Sequence, residues 1–453
     1  MKKYRSLLYV LLCAPALFAS VISDAAASLQ PGKWVQVNTN FPHTRFFMDS
    51  VSGSGIFNYS DDAVWYPDSQ WMMFTGSDHG GLVNPGSFIV YKANTDTWEK
   101  RARGTRGDFS HAYSFNTINA KRGIYYHYDH SGPGLLKYDI KTDKWDTVCG
   151  KYSNTTPTGM VEWFPEANKM IAFGSDIRGC MFYLDTATNK WVSFGSGIAA
   201  EVAYHGLGRY NSTKKVIMFG FGSMWSMNGD SPGYKTYILD SNLTIRQTSI
   251  CSIFVAHPRA ILTYDPSSGD FLIFDRNNGF YSYDMVNDLW KKLPTPTVPI
   301  FDADRSPIYT VSAPIPELGV VAFWQVRSSS ASGWAATSHM YLYKHNPNSG
   351  TAIESNGPDS KTSSIDITAK PNPFNPVCNV NVTLPSKSNL LLNVYNSNGK
   401  IIREITSGTY AKGTHSFTWK GVDALNNKMA TGLYVLHLTA GNQTKTVKVM
   451  LTK

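Results

Sequence analysis

Short apolar runs rich in β-forming residues fill most of the chain, separated by turns of Pro, Asn, Asp and Gly. One hairpin recurs: a Tyr-containing strand, a polar turn, then a strand opening on Trp. It ends at Trp98, Trp145, Trp191 and Trp290, and a degenerate copy carries Ile245 in the Trp position. The intervals are 47, 46, 54 and 45 residues, a period that suits propeller blades. Each of these hairpins follows another one, as in WYPDSQWMMFTG, WFPEANKMIAFG, RYNSTKKVIMFG and TYDPSSGDFLIF. A unit therefore holds four strands, a to d. Units end at residues 98, 145, 191, 245 and 290, and a sixth runs to about residue 350. The sixth lacks a clear Trp strand. Lys33-Trp34-Val35-Gln36-Val37 copies that pattern near the N-terminus, so this strand is expected to complete the last unit, close the ring and remove exposed edges. Six blades is the expectation, with seven as the alternative if the long first unit holds another.

These units resemble the Kelch-type β-propeller family across about residues 30–350. The resemblance rests on the Tyr…Trp hairpins and on hydrophobic strands ending in Gly, as in Phe173-Gly174 and Phe219-Gly220; the full Gly-Gly signature is absent. The recurrent Trp residues are expected to pack blade on blade.

A polar linker at 351–364 leads to a compact β unit at 365–453. Strands are expected at 380–384, 390–395, 400–405, 415–419, 432–438 and 444–451, with a hairpin turn at Ser397-Asn398-Gly399. So many short strands in so small a unit predict an immunoglobulin-like sandwich. The fold class is thus all-β, a propeller followed by a sandwich. The segment resembles the C-terminal sorting domain of bacterial type IX secretion through Pro371-Asn372-Pro373-Phe374-Asn375-Pro376, Val394-Tyr395-Asn396, Trp419-Lys420-Gly421 and Thr431-Gly432-Leu433-Tyr434. That resemblance implies the type IX machinery as a partner and a secreted or outer-membrane-surface location in a bacterium. A flagellar-hook-type immunoglobulin-like module has similar strands and is the alternative resemblance.

Residues 1–27 read as a secretory signal. Lys2, Lys3 and Arg5 precede an apolar run at 7–19, Ala25-Ala26-Ala27 offers a small-residue cleavage site, and Ala19 is an alternative. The run is too short to span a bilayer stably, and no other segment is a transmembrane candidate, so none is expected in the mature chain. Propeller boundaries of 28–350 follow. The net charge of +9 invites a nucleic-acid reading, but partition removes it: the leader holds +2, residues 365–453 hold +7, and residues 28–364 balance to zero. No nucleic-acid partner is expected. Cys149, Cys180, Cys251 and Cys378 form no C-x-x-C pair, which speaks against a thiolate zinc site; an exported protein permits a Cys149–Cys180 disulfide, and four buried thiols are the alternative.

Strand order sorts the loops. The a–b and c–d turns gather on one face and carry Lys141, Lys144, Lys169, Lys214 and Lys215 among ordinary turn residues. The b–c and d–a connections gather on the other face and collect His and Arg. Arg106, Arg178, Arg276, Arg305 and Arg327 are the candidate ligands for an acidic substrate, because a guanidinium takes carboxylate or sulfate bidentately. Trp225 and Trp334 lie on long b–c connections and offer flat faces for a sugar ring. His79, His130 and Tyr128 are the candidate bases for a lyase that removes the proton beside a uronate carboxylate. Tyr204-His205 suits a copper radical oxidase, a class within the Kelch-like family, but no second His with a partner Cys can be placed. No metal site is assigned, and any cofactor stays unknown. The expected function is binding, with cleavage as its extension, of an extracellular acidic polysaccharide; the rival reading is a non-enzymatic surface adhesin or protein-interaction scaffold.

Overall fold

The structure is a computed structural model that describes residues 20–42, 44–47, 56–57, 59–76, 87–101, 112–130, 132–152, 159–174, 181–195, 205–224, 231–232, 235–251, 253, 255, 260–275, 279–300, 308–328, 336–353, 365–384, 387–396, 399–441 and 443–452. The chain forms two compact units, 1–354 and 355–453.

The first unit contains, among the described residues, six antiparallel blades with the four-stranded a–d pattern. Five run in chain order over residues 64–101, 116–149, 159–194, 207–247 and 261–292. The sixth is built from Ile308–Ile315, Val320–Ser328 and Ala336–Lys344, and its outer strand is Lys33–Val37, with Trp34 opposite Tyr343. The N-terminal strand thus closes the last blade, as its sequence pattern predicts. Each innermost strand neighbours the next, and the sixth returns to the first. Parallel bridges Ser60–Tyr113, Ser114–Met160 and Asp62–Ser312 link blades 1 and 2, 2 and 3, and 6 and 1. Gly208 is the second residue of the fourth innermost strand, where a Cβ would meet the Met160 sulfur at 2.4 Å, so glycine lets blades 3 and 4 approach this closely.

The outer hairpins show why the Tyr…Trp pattern recurs. Tyr91 stacks on Trp98 with ring centroids 4.4 Å apart, and its hydroxyl donates to Asp96 at 2.9 Å. Tyr283 packs on Trp290 at 4.8 Å and donates to Asp288 at 2.6 Å. Tyr138 repeats the arrangement with Trp145 and Asp143. In all three the aspartate sits at left-handed φ, between 50° and 55°, which closes the turn and aims its carboxylate back at the tyrosine.

Each outer strand packs on the blade before it. Trp98 meets Trp324 of blade 6 at 4.7 Å, Trp145 meets Phe88 of blade 1 at 5.1 Å, and Trp191 meets Tyr152, in the connection leaving blade 2, at 5.6 Å. Ile245 joins the core of blade 3, Trp290 meets Phe221 beside blade 4 at 6.0 Å, and Trp34 meets Phe280 of blade 5 at 5.7 Å. The six positions of the repeat are therefore the six seams of the ring.

Two elements overlap the expected boundaries. Val21–Ser28, which begins inside the expected leader 1–27 and ends one residue past it, is a helix packed on the propeller core. Thr351–Ala352, at the start of the expected linker, adds to the outer edge of blade 5 through Lys291 and Lys292.

The second unit is a two-sheet sandwich. Asp366–Lys370, Cys378–Leu384 and Gly413–Trp419 form one sheet; Ile401–Tyr410, Ser388–Asn396, Gly432–Ala440 and Gln443–Leu451 form the other. Alternating residues such as Val380, Val382, Leu390, Leu392, Leu436 and Leu438 fill the space between them around Trp419 and Phe374. The first strand, 366–370, is the one the sequence pattern missed.

Candidate functional site

The innermost strands place unusual residues on the propeller axis. Asp61 and Asp62 precede the first, Glu162 lies in the largely apolar third and Arg209 in the fourth. All four are buried. Arg209 reaches across the axis: its Nε donates to the Leu262 carbonyl at 3.2 Å, and Nη2 donates to the Ser312 carbonyl at 3.3 Å. It thereby joins blade 4 to blades 5 and 6. Asp61 accepts from the Ser114 hydroxyl at 2.7 Å and from the Leu262 amide at 3.1 Å. Asp62 accepts from the Asn116 backbone amide at 2.9 Å and from its side-chain amide at 3.0 Å. Glu162 accepts from Thr117 at 2.6 Å and from the Tyr210 amide at 3.0 Å, spanning blades 2 to 4. This plug ties the strands together through side chains rather than a sheet ladder.

Desolvation dominates its electrostatics. Burial pushes the Asp61 carboxyl up to about 6 and the Glu162 carboxyl up to about 7, with Arg209 pulling each the other way. Burial also holds Asp62 well above the ordinary carboxylate range, again against Arg209. One guanidinium faces three carboxyls, so full ionisation of the plug is disfavoured.

On the face of the a–b turns the axis widens into a cavity of about 610 Å³. Every blade contributes to its wall: Trp65 and Pro67, Asn116 to Arg122, Glu162, Trp163, Pro165 and Asn168, Tyr210 and Ser212, Tyr264, and Pro314, Pro316 and Glu317. Trp163 is half-buried, with one ring face stacked on Tyr126 at 6.3 Å. Lys121 and Arg122 are exposed on the rim, and among the described residues neither is in an ion pair. The wall carboxylate Glu317 accepts from the Trp65 indole, and nearby Glu166 accepts from Tyr210 at 3.0 Å. Flat aromatic surfaces, amides from Asn116, Asn119 and Asn168, and two cations at the mouth form a set suited to a polyhydroxylated ring bearing negative charge.

The opposite end of the axis holds Tyr59, Tyr113 and His205, each in the segment leading into an innermost strand. Their φ values are 53°, 39° and 60°, unusual for such bulky side chains. Their rings meet: Tyr59 to His205 at 5.3 Å and Tyr113 to His205 at 5.8 Å.

The residues singled out from the sequence fall unevenly on this geometry. His79, Arg106, Arg178, Arg276, Arg305, Trp225 and Trp334 lie outside the described residues, and so does Cys180. Arg327 lies in the second strand of blade 6, opposite Ile308 of the first strand and Thr337 of the third. Tyr128 is buried, stacked on Tyr152 at 4.9 Å, and its hydroxyl accepts from the Tyr152 amide at 3.2 Å. Burial pushes its phenol upward. His130 is buried beside Tyr113 and Phe115, and burial, helped by Lys151, pushes its imidazole down to about 4. Cys149, Cys251 and Cys378 are buried free thiols. Among the described residues no group of three or more His, Cys, Asp or Glu side chains is placed to hold a metal ion. Sequence reasoning passed over Glu162 and Arg209, although a charged residue in mid-run of a short apolar strand is itself a signal that the strand faces an axis or a site.

Residues 376–444 match the FlgD Ig-like domain family. No curated protein matches the chain. Solved structures with a similar arrangement include a fungal alcohol oxidase of the AA5 family in complex with copper, at 11% identity and TM-score 0.43, covering 94% of this chain and 100% of that one. PorZ, a surface component of the type IX secretion system of Porphyromonas gingivalis, is 13% identical with TM-score 0.34; the match covers 89% of this chain and 61% of PorZ. An oligogalacturonate lyase in complex with manganese is 10% identical with TM-score 0.37, covering 70% of this chain and 99% of that one. At these scores the likenesses are distant, and no activity follows from them. Among the described residues no helix is long and apolar enough to cross a membrane.

Proposed function

We propose that this chain is an exported bacterial surface or secreted protein whose propeller binds an extracellular acidic polysaccharide. The C-terminal sandwich serves as its address for type IX secretion, a role suggested by the Pro371–Pro376 and Thr431–Tyr434 motifs. The observation that carries the binding reading is the axial cavity, walled by Trp65, Trp163, Tyr210 and Tyr264 and rimmed by Lys121 and Arg122. Aromatic faces take the apolar side of a sugar ring, and the cations take its carboxylate or sulfate. Arg106, Arg178, Arg276, Arg305 and Arg327, which the strand pattern of the sequence assigns to the b–c and d–a side, are a second set of anion ligands within the same proposal.

A panel of uronate-containing, sulfated and neutral polysaccharides, titrated calorimetrically, tests it. Binding of an acidic member, weakened at least about tenfold by Trp163→Ala or Arg122→Ala, supports the proposal. Absence of binding to every acidic member sinks it. Ultraviolet absorbance from unsaturated products and release of reducing ends, followed in the same samples, separate cleavage from binding alone.

A further inference from the structure

The leader offers two cleavage positions, after Ala19 or within Ala25-Ala26-Ala27, and the propeller core discriminates between them. The helix Val21–Ser28 is part of the folded domain. Ile22, Ala26 and Leu29 are buried in the same core as Phe47, Val37 and Trp324. The helix lies against the closing strand Lys33–Val37, against Ala336–Lys344 and against the short turn Pro316–Leu318. It therefore covers the blade that the N-terminal strand completes.

Its first turn is fully built. Ser20 has extended backbone, its Oγ accepts from the Ser23 amide at 3.1 Å, and the Ser20 amide donates to the Ser23 Oγ at 2.8 Å. That reciprocal cap satisfies two amide donors at the helix start. Asp24 stands in the first turn, where a carboxylate interacts favourably with the helix dipole. Cleavage after Ala27 would remove the cap, Ile22 and Ala26 together and leave the core beneath them open to water. Cleavage before Ser20 leaves every one of these contacts in place. Ala19 also supplies a small residue at the end of the apolar run.

We propose that the export peptidase hydrolyses the Ala19–Ser20 peptide bond, so that Ser20 is the first residue of the mature protein. Water adds across the amide: Ala19 departs with a new carboxylate, and Ser20 gains an α-ammonium that still donates to the Ser23 Oγ. The proposal rests on reading the N-terminal segment as a leader, and it moves the mature start upstream of the alanine triplet.

The test expresses the full precursor in a bacterium with Sec export and determines the N-terminus of the exported protein by intact mass and N-terminal sequencing. A chain starting at Ser20 is the expected result. A start at any residue after Ser20 overturns the proposal. Retention of Met1 in the exported fraction overturns the leader reading on which it rests, and is distinguishable by mass. A second measurement needs no peptidase: chains beginning at Ser20 or at Ser28 are prepared from removable tags and melted. The shorter chain is expected to melt several degrees lower, and equal melting points would overturn the structural argument.

Discussion

Replacing Arg209 with Met tests whether the axial plug holds the ring together. The substitution keeps much of the side-chain volume but removes the guanidinium that spans blades 4, 5 and 6 and faces Asp61, Asp62 and Glu162. Removing one partner of a buried charge cluster costs about 3–5 kcal/mol. An unfolding entropy of roughly 2.1 cal/mol/K per residue over a propeller of about 330 residues converts this to a melting point about 4–7 °C lower. The pH dependence has a definite sign. All three carboxyls are raised, so the folded protein holds protons that the unfolded chain releases, and their contribution to stability falls as pH rises from about 4 towards about 7. Arg209 pulls all three downward, so its loss steepens that fall. Differential scanning calorimetry of the wild type and Arg209→Met at about pH 4.5 and about pH 7.5 reads the effect. The variant should be close to wild type at the lower pH and well below it at the higher one. An equal shift at both pH values, or a shift under about 1 °C at the higher one, would refute the reasoning.

Two further outcomes follow from the seams and thiols. Trp34→Ala removes the ring that meets Tyr343 at 4.5 Å and Phe323 at 5.1 Å, and should cost ~2–4 kcal/mol in denaturant unfolding, towards the low end for a half-buried Trp; an unchanged midpoint would mean that the strand does not close the ring. Burial pushes the Cys149 thiol up to about 11 and the Cys251 thiol up to about 12, so neither should react with an aromatic disulfide reagent near pH 8 until the protein is unfolded. Fast labelling of either in the folded state would contradict the packing.

The blade pattern was legible because its determinants are local. Tyr91, Asp96 and Trp98 lie within one hairpin, and the same spacing returns at Tyr138 and Tyr283. The closing strand was legible for the same reason, since Trp34 copies a motif seen elsewhere. The axial plug was not. Asp61, Glu162, Arg209 and Ser312 come from four blades, and only closure of the ring brings them together. The cavity beside them draws its wall from all six blades, and its Pro, Asn and Lys residues read as ordinary turns along the chain. The helix Val21–Ser28 was hidden by the alanines that make the segment resemble a cleavage site, although Ile22 and Ala26 share a helical face one turn apart.

A crystal structure of the propeller grown with an acidic oligosaccharide, such as an oligogalacturonide, tests the central claim most directly. A sugar ring is expected in the axial cavity against Trp163, with its carboxylate near Lys121 or Arg122. A ligand bound only away from the cavity, or an empty cavity at saturating oligosaccharide, would contradict it.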